Sequence, residues 1–497
     1  LTLSPTRSGA LWALAALTAL GIAIRFASLG VQSYHHDEVI TVARVIPGSF
    51  IDMLHQIKGS ESNPPLYYVL AWGWAKAFGS GEVAVRSLSA IFGAATVPLA
   101  YCAGRELASR RAGLIAAALV AVNPMLIWYS QEARSYALLV FFGAASLVFF
   151  ARALRTRQGR DLALWALASA LALCSHYFAV FAVAIEALWL LVALRSDWRR
   201  VLPAIGGIAL VGLALLPLIT SQVNPTHIGW IDSTPLSSRF FQTGISFLVG
   251  ETGHVIAEPP RERYALLPAI LIGVALLLVA IRGSRVERRG ALLGLVVGFG
   301  VAALALVAAL VGKDYVVERN LLPALVPLLV AAAIGFASDR ARRLGLLLAV
   351  VLSAYWVAFD IHVTQTPNLQ RPDFRSITEE LGTPHVPRAI VSWKLAADPV
   401  RFYLHDHSLR VTGGETPIRE IDVISKSSVG APEGVPRTFR PVARVRFERL
   451  TLTRYMSNRV REIPFYVLRD VRTGFGVNAV VADGPGVSED LSGASRR

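Results

Sequence analysis

The chain has 497 residues, of which 54% are hydrophobic and only 17% charged, and its mean hydropathy is +0.51. A soluble protein of this length carries more charge, so a water-soluble globular protein is excluded. Most of the net charge of +15 lies in short arginine clusters between apolar stretches, a distribution that serves membrane topology and anionic headgroups and speaks against a nucleic-acid partner.

Apolar windows of roughly 20 residues recur through the first three quarters of the chain. In order, the predicted spans are Leu11–Leu29, Val83–Gly104, Ala112–Trp128, Tyr136–Phe150, Leu162–Cys174 and Phe178–Leu194, then Val201–Ile219, Tyr264–Ile281, Ala291–Val311, Leu321–Ala337 and Leu344–Phe359. The first has no convincing cleavage site and reads as a retained signal anchor. As one helix, Leu162 to Leu194 would run about 50 Å, too long for a single span. Both its ends are basic, so a hairpin turning at Ser175-His176-Tyr177 is expected. The result is a polytopic α-helical membrane protein with about eleven transmembrane helices. Cys102 and Cys174 both fall in apolar segments, which speaks against a disulfide or a cysteine zinc site.

Basic loops alternate with poorly basic ones. Arg105 to Arg111, Arg152 to Arg160, Arg195 to Arg200, Arg282 to Arg289 and Arg340 to Arg343 form one set. The positive-inside rule assigns this set to the cytoplasm, with the N-terminus inside and the C-terminus outside. Residues 1–361 then form a membrane domain and residues 362–497 a small extracytoplasmic α/β domain. Strands are predicted at Arg388–Trp393 and Asn478–Ala482, and a helix at Asp398–Leu404.

The unusual polar residues fall outside the membrane. The first outer loop, 31–82, opens with His35-His36-Asp37-Glu38. Two adjacent acids just above a bilayer can deprotonate something delivered by lipid, or hold a cation. Phe50, Ile51, Leu54 and Ile57 recur at helical spacing and predict a helix lying on the membrane surface. Asn63-Pro64-Pro65 is a helix-start signal with Asn as cap. Leu66 to Phe78 then reads as an interfacial helix whose Tyr67, Tyr68, Trp72 and Trp74 form an aromatic belt, or else stack on a sugar. Arg86 reads as a headgroup anchor. A second long outer loop covers Ser221 to Arg263. Short outer turns carry Gln131-Glu132-Ala133-Arg134, His176-Tyr177, and Lys313-Asp314-Tyr315 with Glu318-Arg319.

Three motifs make the chain recognisable: Tyr34-His35-His36-Asp37-Glu38, Asn63-Pro64-Pro65-Leu66-Tyr67-Tyr68 and Tyr129-Ser130-Gln131-Glu132-Ala133-Arg134-Ser135-Tyr136. The match continues through His176-Tyr177-Phe178 and ends near Glu318-Arg319-Asn320-Leu321-Leu322-Pro323. The chain resembles the bacterial GT-C glycosyltransferases related to protein O-mannosyltransferases and the aminoarabinose transferase of lipid A. The resemblance implies a polyprenyl-phosphate sugar donor reached from the outer side of the plasma membrane. It also implies an extracytoplasmic glycan, glycolipid or protein acceptor. The family's acidic residue in the first outer loop corresponds to Asp37.

The chemistry can be read from the residues as well. A sugar on a lipid phosphate already has a fair leaving group. The reaction then needs a base for the acceptor hydroxyl and cationic donors for the departing phosphate. Asp37 is the candidate base, unless it merely caps a helix over Glu38–Val45. One base without an evident second carboxylate nucleophile predicts inversion at the anomeric carbon, unless Glu132 serves as that nucleophile. Glu38 is the second catalytic candidate, orienting the partners of Asp37. No cofactor is required, although Asp37, Glu38 and His36 offer a place for a divalent cation. Glu132 is a candidate for sugar or acceptor and Arg134 for phosphate, unless the two simply pair with each other. His176 and Tyr177 are expected to line the cleft. Lys313, Tyr315 and Arg319 gather at the ends of two late spans, Arg319 suiting phosphate with its planar fork.

The competing reading is a transporter or flippase of lipid-linked sugars. Transporters place ionisable groups near the midplane and often show internal repeats, whereas here the polar groups cluster at one face and no repeat is visible. The tail is expected to help bind the acceptor, so that deleting Asn368 to Arg497 alters acceptor use more than donor hydrolysis.

Overall fold

The computed structural model describes residues 7–222, 231, 234–251, 261–404, 409–447, 449–474 and 476–485. Part of the expected loop Ser221–Arg263 lies outside these. The described residues fall into two compact units. One draws on Leu1–Leu29, Arg44–Glu251 and Pro260–His362; the other on Gly30–Ala43 and Val363–Arg497. The stretch carrying His35-His36-Asp37-Glu38 therefore folds with the tail and not, as hydropathy suggests, with the spans.

The first unit is helical. Among the described residues, eight helices are long and apolar enough to cross a membrane, or nine if the bent pair Arg110–Val122 and Pro124–Ser130 is one span. The expected eleven exceed this by the hairpin at residues 159–193. Its helices, Gly159–Ser175 and Ala179–Ala193, turn where predicted. At 17 and 15 residues they reach only about 26 and 23 Å, short of the roughly 30 Å hydrocarbon layer.

The bent pair meets at 57°, and the cause is local. Pro124 has no N–H to continue the hydrogen-bond ladder and forces Asn123 into extended backbone. The Asn123 carboxamide oxygen then starts a new helix by accepting from Leu126 N–H at 3.1 Å. The carbonyls orphaned at the end of the first helix are taken up by Arg25 of the first span. Its guanidinium, fully buried, donates to Val120 O at 3.0 Å and Ala121 O at 2.8 Å, and through Nε to Ser130 Oγ at 3.1 Å. Gln131 Nε2 returns the tie by donating to Arg25 O at 3.0 Å and Ser28 Oγ at 2.7 Å. The turn that holds Glu132 and Arg134 is thus bolted to the first span.

Close packing elsewhere relies on small residues. A Cβ on Gly104 would lie 2.9 Å from both Ala112 O and the Gly113 Cα, so helices Glu82–Leu107 and Arg110–Val122 cross nearly backbone to backbone.

The two short helices of the first loop form at Phe50–Ser60 and Leu66–Phe78. The first leaves Phe50, Ile51 and Leu54 exposed but buries Met53 and Ile57. Three expectations fail nearby. Pro65, not Asn63, precedes the second helix, and the buried Asn63 instead accepts from Gln222 Nε2 through its carbonyl at 3.1 Å. Tyr67 and Tyr68 are fully buried and belong to no belt. Arg86 is 1% exposed and donates to Leu29 O at 2.9 Å, so it cannot anchor headgroups.

The second unit is a mixed sheet with helices. Its strands are β1 (Arg388–Trp393), β2 (Leu409–Val411), β3 (Glu415–Lys426), β4 (Arg440–Phe447), β5 (Leu450–Pro464) and β6 (Asn478–Asp483). Their order is β2-β6-β1-β3-β5-β4, with β1 and β3 parallel and the other pairs antiparallel. The alternation of strand side chains feeds two cores. Ile390, Ile424 and Val481 pack under helices Phe374–Leu381 and Lys394–Leu404; Ala389, Val391 and Val423 pack with Phe439 and Leu468 on the opposite face.

Candidate active site

In the second unit, Asp37 is half-buried in the first turn of a short helix, His36–Ile40, which widens into one π-type turn over Thr41–Val45. The helix starts two residues before the expected Glu38, with His35 at the cap position, so Asp37 does not cap it. Glu38 is fully buried and reaches back to accept from His35 N–H at 3.0 Å, the reciprocal half of a capping box. The same Oε2 accepts from Arg371 Nη1 at 3.2 Å.

Further ties hold this segment to the start of the tail. Arg371 N–H donates to Gln32 Oε1 at 3.1 Å and Phe374 N–H to Ser33 Oγ at 2.9 Å. Tyr34 N–H donates to the Tyr403 hydroxyl at 2.7 Å, and its ring meets Phe402 edge-on at 5.6 Å. Burial, reinforced by the Arg371 charge, pushes His35 down to about 4 against the opposing pull of Asp37 and Glu38. His35 is therefore neutral at pH 7.

His36 Nδ1 stands 3.4 Å from Asp398 Oδ2. The expected cation trio of Asp37, Glu38 and His36 is thus divided, Glu38 turning to Arg371 and His36 to Asp398. Among the described residues, no three His, Cys, Asp or Glu side chains group as a metal ion would need.

In the helical unit, the turn after Pro124–Ser130 places Arg134. Its N–H donates to Glu132 O at 2.8 Å, and its side chain is only 6% exposed. It forms an ion pair with Glu61, Nη1 lying 2.7 Å from Oε2. The Tyr68 hydroxyl donates to the same Glu61 oxygen at 2.7 Å. Burial pushes that hydroxyl well above its ordinary range.

His176, 3% exposed, sits in the hairpin turn. Its Nδ1 accepts from Phe178 N–H at 3.3 Å, which leaves the proton of the neutral ring on Nε2. Burial first, then the charges of Arg134 and Arg319, lower His176 to about 3. The two arginines and the histidine are thus close enough for each charge to be felt. Tyr136 and Phe178 flank the histidine ring at 5.7 and 5.5 Å, and Tyr315 lies 5.7 Å from Phe178. Glu132, Glu251 and Glu318 lie within electrostatic reach of the Tyr129 hydroxyl.

Two expected members stand apart. The Tyr177 hydroxyl donates to Gln222 Oε1 at 2.7 Å, which gives it a structural task. Lys313 is exposed. Its neighbour Asp314 accepts from Arg239 Nη1 at 2.8 Å and is held below the usual carboxylate range by that contact. Two residues were missed from the sequence, Glu61 and Arg371. Their partners lie 73 and 333 positions away, beyond any local pattern.

A neutral histidine N–H within electrostatic reach of two guanidinium groups and beside aromatic rings has the chemistry to meet an oxyanion next to an apolar or sugar-like face.

Residues 62–220 match the family model described as dolichyl-phosphate-mannose-protein mannosyltransferase. No curated protein matches the sequence. The fold is that of ArnT from Cupriavidus metallidurans. The apo structure of that protein aligns with a TM-score of 0.57 and its undecaprenyl phosphate complex with 0.54. Each is 12% identical and covers 88% of this chain and 97% of that one.

Proposed function

We propose that this chain is a GT-C glycosyltransferase of the protein mannosyltransferase and ArnT type, a reading supported by the family match over residues 62–220 and by the ArnT fold, and that it transfers a sugar from a polyprenyl-phosphate carrier to an extracytoplasmic acceptor. The observation that carries this reading is the convergence of Arg134 and Arg319 on a buried, neutral His176. Guanidinium charge beside a neutral N–H donor suits a phosphate whose charge grows as the sugar departs. The fold's undecaprenyl phosphate-bound relative supports a lipid of that kind.

The reaction is a single displacement. Asp37 accepts the proton of the acceptor hydroxyl. The acceptor oxygen bonds to the anomeric carbon as the bond to the phosphate oxygen breaks, its electron pair leaving with the phosphate. Arg134 and Arg319 hold that phosphate. His176 takes part as an N–H donor, because a ring held to about 3 is a poor base at neutral pH. Glu132 contacts sugar or acceptor. Glu38, occupied by Arg371 and its own helix end, orients Asp37 and does not touch substrate. Inversion follows from the single step. The basic loops lie in the cytoplasm, and the chemistry and the C-terminal unit lie on the extracytoplasmic side.

The test is sugar transfer by purified protein in detergent, with a panel of polyprenyl-phosphate sugars and membrane extract as acceptor. Transfer from one donor is expected. Asp37→Asn should lower kcat by about 10²- to 10⁴-fold, the usual contribution of a general base, while leaving donor binding intact. Retained activity in that variant would move the base elsewhere, and product with retained anomeric configuration would overturn the single displacement. Transfer that survives exhaustive chelation would dispose of a divalent cation.

A further inference from the structure

The helix bearing Asp37 is too short to hold its own geometry. Five residues cannot sustain an isolated helix in water, and the π-type turn that follows adds no rigidity. Its orientation must come from what it packs against. The buried Glu38 carboxylate is the pivot. It accepts from the helix's own first N–H, at His35, and from Arg371 at the start of the tail. Arg371 is 13% exposed in its side chain and Glu38 is not exposed, so the pair works at low dielectric with little screening. Arg371 also fixes the chain just upstream, through its backbone N–H to Gln32. Phe374 does the same at Ser33, and Tyr403 at Tyr34.

We infer that Arg371 is a positioning residue for Asp37, acting through Glu38, and that the C-terminal domain is thereby a working part of the catalytic apparatus as well as any acceptor contact it makes. The inference rests on the reading of Asp37 as the base. Arg371 does not touch substrate. It sets the angle at which the Asp37 carboxylate meets the acceptor hydroxyl, and a misplacement on the order of 1 Å there costs about 10²-fold in rate.

The experiment measures kcat and KM of the full-length protein for wild type, Asp37→Asn, Arg371→Ala and Arg371→Lys, with and without added guanidinium ion. Thermal midpoints and donor-lipid binding are recorded for each. Arg371→Ala is expected to lose on the order of 100-fold in kcat, with donor KM changed less than about 3-fold, and the rate should recover saturably with guanidinium but not with sodium at equal ionic strength. Arg371→Lys should fall in between, because a point charge replaces a fork. A purely structural role would lower the midpoint and donor binding together, with no recovery by guanidinium, and would overturn the inference. So would a kcat within about 2-fold of wild type in Arg371→Ala while Asp37→Asn is inactive. Full activity in Asp37→Asn would instead bring down the base assignment, and the positioning role with it.

Discussion

His35 and His176 are kept uncharged by different surroundings with one common cause. Burial disfavours the imidazolium in both; arginine charge adds to it, from Arg371 at His35 and from Arg134 and Arg319 at His176. The consequence for stability has a definite sign. In the unfolded chain a histidine protonates near 6.5, whereas in the folded chain these two wait until about 4 and about 3. Between those limits the unfolded state binds more protons, so stability is complete above about pH 6.5 and declines as pH falls, His35 ceasing to contribute further loss near 4 and His176 near 3. Thermal midpoints in detergent should therefore fall steadily from about pH 7.5 to about pH 5, and His176→Phe should flatten that slope. An unchanged slope in the variant would mean that His176 titrates in the folded protein as it does in the unfolded chain. Residue by residue, the polar loops were legible in the sequence because few polar residues stand beside spans without a task. Arg134, His176 and Arg319 stand out that way, and the charges of both arginines are felt at the histidine. Glu61 and Arg371 did not, because a pairing partner far along the chain leaves no periodic or local trace.

Elements were easier to read than their ties. Leu66–Phe78 and the turn at Ser175-His176-Tyr177 follow from proline signals and from basic residues at both ends of an over-long apolar stretch. Strands β1 and β6 follow from unbroken runs of β-formers that turn out to be buried along their whole length. Strand β4 was missed because it is an exposed edge carrying Arg440, Arg444 and Arg446, a charge load that protects an edge and hides it from a hydrophobicity search. The break at Asn123-Pro124 is marked by its proline, but nothing in the first span announces that Arg25 caps the broken end. That role yields a prediction at the scale of helices. Arg25 serves the Val120 and Ala121 carbonyls and lies in Coulombic reach of Asp360 on a late span. Arg25→Met should destabilise by roughly 2–5 kcal/mol, since it strands the buried Val120 and Ala121 carbonyls. Arg25→Met combined with Asp360→Leu should be less damaging than the sum of the two single changes, because each single change already removes the interaction between them. Denaturant midpoints of the four proteins would decide it; strict additivity would show that Arg25 and Asp360 do not interact.

At the scale of the whole chain, the division into two units follows function more closely than it follows sequence. A boundary near residue 361 is what hydropathy suggests, since the last span ends there. Yet Gly30–Ala43 folds with Val363–Arg497, so the segment bearing Asp37 crosses from the region of the spans into the tail unit and back. Hydropathy cannot register such an exchange, because it depends on hydrogen bonds such as that from Arg371 to Glu38 and that from Tyr34 N–H to the Tyr403 hydroxyl. The exchange also changes what a truncation should do. A tail that only gathers acceptor could be removed with donor hydrolysis intact, water replacing the acceptor. Here, deleting Asn368 to Arg497 removes Arg371, Phe374 and Tyr403 together, and with them their ties to Glu38, Ser33 and Tyr34. Donor hydrolysis and transfer should both fall on the order of 100-fold, the loss expected of a misplaced base, even where donor lipid still binds to the helical unit. Release of polyprenyl phosphate from a labelled donor, measured with and without acceptor, separates the two cases. Loss of transfer with hydrolysis at the wild-type rate would restore the tail to an acceptor-binding module and leave the Asp37 segment able to set its own geometry.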